Sequence, residues 1–101
     1  MIRGRRFAEL VRTQLDLFEQ EHAELLADCD AAEAAYDAAP RDEAEERYGD
    51  YLLLVEEGAE VLVEMRDRYA RTIDEDAAEA YTRVFDRAAG KRLPRFASGL
   101  D

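Results

Sequence analysis

The chain has no tryptophan, two prolines, five glycines, one cysteine, one histidine and a single lysine among its 101 residues. Each scarcity excludes something. Cys29 alone cannot form a disulfide within the chain, so the fold has no covalent staple and suits a reducing compartment. Few prolines and glycines leave few breaks, and with abundant alanine this favours long helices. The longest aliphatic run, Leu52–Val55, falls far short of the roughly 20 residues a membrane-spanning helix needs. The start, MIRGRRFAEL, carries arginines but no apolar stretch, so no secretion signal is expected. Neither Cys29 nor Ser98 has a histidine partner at a recognisable spacing, and no glycine-rich phosphate loop follows a strand.

What is present points to a soluble helical domain. Apolar residues make up 48% and charged residues 39%, enough for one modest core. Thirteen arginines against one lysine suggest a GC-rich bacterial genome. The net charge of −11 opposes non-specific binding to nucleic acid, and a cytoplasmic location with no nucleic-acid or membrane partner is expected. The charge is uneven. Arg3, Arg5, Arg6 and Arg12 oppose Glu9 alone in the first twelve residues, and Lys91, Arg92 and Arg95 stand without an acid. Residues 28–64 carry thirteen acids against Arg41 and Arg47. Folded as a hairpin, the chain has an acidic tip and a more basic open end, which could receive an anion or an acidic partner.

Two heptad series carry the fold prediction. Val11, Phe18, Leu25 and Ala32 repeat every seven residues, as do Tyr48, Val55, Leu62 and Tyr69. Reflected about Pro40, Val11 meets Tyr69, Phe18 meets Leu62, Leu25 meets Val55 and Ala32 meets Tyr48. The expected class is all-α. It consists of a long antiparallel helical hairpin (helices about 5–38 and 42–71), a shorter third helix about 74–89 and an irregular tail 90–101, in one domain over 1–101. Thr72 to Glu75 read as a capping box and Gly90 as a helix stop. Gly58, facing inward opposite His22, leaves room for the imidazole ring.

The lengths imply an assembly. The third helix is too short to cover more than half of the hairpin. Leu26, Tyr36, Tyr48, Tyr51, Leu53 and Leu54 are left without a cover near the tip, and a second copy is the simplest one. The expectation is therefore a homodimer, a four-helix or larger bundle, acting as a non-catalytic protein-interaction or regulatory module. No cofactor is called for.

An alternative rests on carboxylates. Glu19-x-x-His22 has the spacing of metal ligands in di-iron bundles, although the second helix turns no glutamate inward to complete such a site. Glu56-Glu57-Gly58-Ala59-Glu60 matches E-E-x-x-E, and Glu64-Met65-Arg66-Asp67 matches E-x-x-D. Together they resemble the Mg²⁺-binding pattern of MazG-like all-α nucleotide pyrophosphohydrolases. In that family the two motifs lie on different helices; here three residues separate them on one. The resemblance implies a divalent metal held by Glu56, Glu57, Glu60, Glu64 and Asp67, and an enzyme acting on a nucleoside triphosphate.

Overall fold

The computed structural model describes residues 2–100, with side chains from Arg6 to Leu100. The basic side chains of Arg3 and Arg5 lie outside that range. Among the described residues every regular element is helical and there is no strand. In chain order these are α1 (Ile2–Glu21), α2 (Ala23–Asp37), α3 (Ala44–Ala70), α4 (Glu75–Arg92) and a 3-10 segment, Pro94–Leu100. The molecule measures 51 × 23 × 22 Å.

The expected first helix, 5–38, is divided at His22. This residue leaves helical geometry with φ −119° and ψ 32°. Backbone bonds nevertheless continue across it, from His22 N to Phe18 O (2.9 Å) and from Leu26 N to His22 O (3.0 Å), so the helix bends rather than ends. No proline or glycine marks the site. The bend arises because the two halves pack on different partners: α2 lies along α3, whereas α1 lies mainly on α4.

This corrects the inner half of the heptad pairing. Beyond the bend, Tyr81 of α4 stands between Phe7 (ring centroids 5.6 Å apart) and Tyr69 (4.7 Å). Phe96 of the 3-10 segment stacks edge-on against Phe18 (6.0 Å) and lies against Gly58. The inserted rings fill the space where Val11 and Phe18 were expected to meet α3. In the outer half α2 and α3 do pair, with Leu25, Cys29 and Val55 buried and the rings of Tyr36 and Tyr48 5.1 Å apart.

The core accordingly sits at one end. Phe18, Leu62, Tyr81, Phe85 and Phe96 are all fully buried there. A buried leucine or phenylalanine contributes about 2 kcal/mol by leaving water, which makes these five the main anchors of the fold. The expected irregular tail is ordered and docked: Leu93, Phe96 and Leu100 are buried. Gly58 makes room for Phe96, not for His22.

The helix ends also differ from the pattern read in the sequence. Asp74, not Thr72, is the N-cap of α4, its Oδ1 accepting from Ala77 N at 2.9 Å. Thr72 instead donates its hydroxyl to Tyr69 O (2.7 Å), closing the end of α3. Helix α4 runs through Gly90 to Arg92, where the chain turns at Leu93.

Candidate functional site

Away from the core, α2 and the first half of α3 form a two-helix arm. Neither α4 nor the 3-10 segment extends over its tip, and almost every residue from Glu33 to Glu46 is exposed. Residues 23–57 hold twelve acids against Arg41 and Arg47, a net −10 of the chain's −11. The remaining residues are close to neutral.

The arm also carries exposed apolar surface. Leu53 is 68% exposed, Tyr48 44%, Leu52 38% and Tyr36 38%. Leu26, Tyr51 and Leu54 are half-buried. Leu54 packs against the core, while Leu26 and Tyr51 border a shallow groove beside Leu93–Phe96. The six expected interface residues thus divide into three that face solvent and three that the chain itself partly covers. Leu53 lies opposite the α2–α3 seam, on the stripe of Glu46, Asp50 and Glu57, all exposed.

Two of the three C-terminal basic residues, Arg92 and Arg95, are spent inside the molecule. Arg92 donates from Nε and Nη2 to Glu19 (3.1 and 2.8 Å) and from Nη2 to Asp16, all on α1. Arg95 donates to Asp30 (3.0 Å) and Glu33 (2.8 Å) on α2, and its Nε reaches the Tyr51 hydroxyl. One arginine therefore grips each side of the His22 bend. Neither is available as the open-end anion site suggested by the sequence. The guanidinium of Arg66, only 12% exposed, donates to Asp86 (2.9 Å) and to the carbonyl of Leu100 (2.8 Å), fastening α3 to α4 and to the chain end. These clamps had no signature in the sequence, because each joins positions 20 to 76 residues apart.

The carboxylates of the metal alternative are only partly gathered. Glu56, Glu60, Glu64 and Asp67 line one open groove of about 650 Å³ along α3, with Val63, Arg71 and Gly99. Glu57 lies on another side of the helix. Asp67 is paired with Arg66 (3.0 Å) and Glu64 approaches Arg68 (3.9 Å). On α1, Glu19 is occupied by Arg92, and His22 stacks on Phe18 with centroids 5.2 Å apart. Among the described residues, no three His, Cys, Asp or Glu side chains are placed to hold one metal ion.

Cys29 is fully buried. Burial pushes its thiol above the ordinary range, and neighbouring Asp30 and Asp28 add to this, while Arg95 opposes it. An inaccessible thiol held in its neutral form is a packing group rather than a nucleophile. No helix of the described residues is long and apolar enough to cross a membrane. No family model, no curated protein and no solved structure matches this chain.

Proposed function

We propose that this chain is a non-catalytic protein-interaction module of the bacterial cytoplasm that works as a homodimer. One observation carries the reading: the arm presents Leu53 at 68% exposure, with Tyr48, Leu52 and Tyr36 also exposed, where no other element among the described residues covers them. A single surface leucine is ordinary, but an arm with four exposed large apolar side chains, Leu53 opposite the α2–α3 seam and Tyr36 and Tyr48 along it, gains by being covered. Tyrosine suits such a surface because its ring buries well and its hydroxyl stays hydrated. A second copy is a simple cover, since homodimers are the commonest assemblies of soluble proteins.

Light scattering after size exclusion tests the dimer. The expected result is twice the chain mass at tens of micromolar; a monomeric mass at that concentration would overturn it. Leu53→Glu sharpens the test. It places a charge in the proposed seam without touching the core, so the variant should remain helical and become monomeric. A thermal shift of several degrees with Mg²⁺, Mn²⁺ or Fe²⁺ would instead favour the carboxylate reading, through the groove of Glu56, Glu60, Glu64 and Asp67.

A further inference from the structure

A shallow groove of about 250 Å³ runs between α1 and α4, floored by Ala8, Leu15, Val84 and Ala88, with Arg12 and Arg92 along it. Arg87 follows Val84 by three residues and Lys91 follows Ala88 by three, so both belong to the same side of α4. Arg12, Arg87 and Lys91 are exposed, and none takes part in an ion pair among the described residues. The groove thus has an apolar floor with Arg12 unpaired along it and Arg87 and Lys91 on the same side of α4, while Arg92 is already held by Asp16 and Glu19.

The arm carries the opposite form. Leu53 projects at 68% exposure between Glu46, Asp50 and Glu57, an apolar knob flanked by three carboxylates, of which Asp50 also accepts from Arg47 at 3.2 Å. Within one chain the knob lies on the arm and the groove on the core end. We propose that Leu53 of one copy seats in the α1/α4 groove of a second copy, with Glu46, Asp50 and Glu57 against Arg12, Arg87 and Lys91. This deepens the homodimer reading and rests on it. In a two-fold pair the contact occurs twice, each arm lying along the other copy's core end.

Charge decides the orientation. Two arms of net −10 side by side repel, whereas an arm against the cationic groove attracts. Like-charge juxtaposition penalises a wrong pairing, and opposite charges fix the register. Exposed ion pairs contribute at most about 1 kcal/mol each, so the affinity comes mainly from covering Leu53 and the groove floor.

The chain's single lysine makes the contact readable. A carbodiimide joins a lysine amine to a carboxylate with which it is in contact. In an equal mixture of ¹⁴N- and ¹⁵N-labelled protein, mixed-isotope peptides joining Lys91 to Glu57 or Asp50 are expected. The dimer should weaken as salt rises. Arg87→Glu combined with Lys91→Glu should weaken it by about tenfold or more, and Asp50→Lys with Glu57→Lys in the same chain should restore it. Both sets of positions are exposed, so folding is not at stake. A dimer that salt strengthens, or one whose Lys91 cross-links never reach the arm of the other copy, overturns this contact and leaves the homodimer standing. A monomer at tens of micromolar removes both.

Discussion

The ring of Phe96 lies against the α-carbon of Gly58 so closely that a β-carbon there would overlap Cε1 and Cζ of the ring. Phe96 is fully buried and cannot swing aside. In an open helix, glycine to alanine gains about 1 kcal/mol. Here overpacking, on the order of 1–3 kcal/mol, opposes that gain. Gly58→Ala is expected to lower stability by up to about 2 kcal/mol. Gly49→Ala is the internal control: nothing lies within 4 Å of a β-carbon there, so it should raise stability by up to about 1 kcal/mol. Urea midpoints of the two variants against the parent decide the matter, and equal shifts would refute the account.

Arg66 and Arg92 both clamp α4, but they should not weigh the same. Arg92 is 31% exposed and its partner Asp16 52%, so water already screens the pair. Arg92→Met is expected to cost less than about 1 kcal/mol. Arg66 is 12% exposed and satisfies both Asp86 and the Leu100 carbonyl. Arg66→Met leaves those acceptors without their donor, at an expected cost of about 2 kcal/mol. Chemical denaturation should rank them in that order; the reverse order would show that exposure does not govern the clamps.

Tyr81 gives the fold an alkaline limit. Its hydroxyl donates to Gln14 Oε1 at 2.8 Å, and burial pushes its phenol from 10 up to about 12. The folded state therefore holds the proton after the unfolded chain has lost it. Stability from this group is whole below pH 10 and drains away between pH 10 and 12, by about 2–3 kcal/mol. Tyr81→Phe should cost about 1 kcal/mol at neutral pH through the lost hydrogen bond, and should flatten the alkaline decline. Denaturation midpoints on either side of pH 10 measure both effects; a variant that declines as steeply as the parent would sink the assignment.

Asp74 and Thr72 separate two readings of one helix start. Asp74→Ala removes the bond to Ala77 N and should cost about 1 kcal/mol. Thr72→Ala removes only an exposed hydroxyl contact and should cost a few tenths. A larger loss at Thr72 would restore the capping box seen in the sequence.

Fold class was legible because it depends on near neighbours along the chain. Seven-residue spacing, scarce breakers and Pro40 are enough to specify long helices and the turn between them. The outer pairing of Leu25 with Val55 was likewise legible, since α2 and α3 are joined by a short turn and lie along each other. The bend at His22 was not. No residue there disfavours helix; the cause lies in what α1 and α2 each pack against. The tail looked irregular for the same reason. Phe96, Leu100 and the clamps of Arg92 and Arg95 acquire their roles only from partners far away in sequence.

The candidate site divides in the same way. The acidic character of the arm and its surplus leucines could be counted in the sequence, because charge and hydropathy belong to residues individually. Which cations stay unpaired could not be counted. Arg92 and Arg95 look as free as Arg87 and Lys91 until the fold brings Asp16, Glu19, Asp30 and Glu33 to them. The sequence by itself determined helices, one turn and an acidic arm, all set by local periodicity and composition. Only the tertiary structure decided the bend, the filling of the core by Tyr81 and Phe96, and the cations left beside the α1/α4 groove. Those depend on contacts between distant segments, which no local pattern encodes.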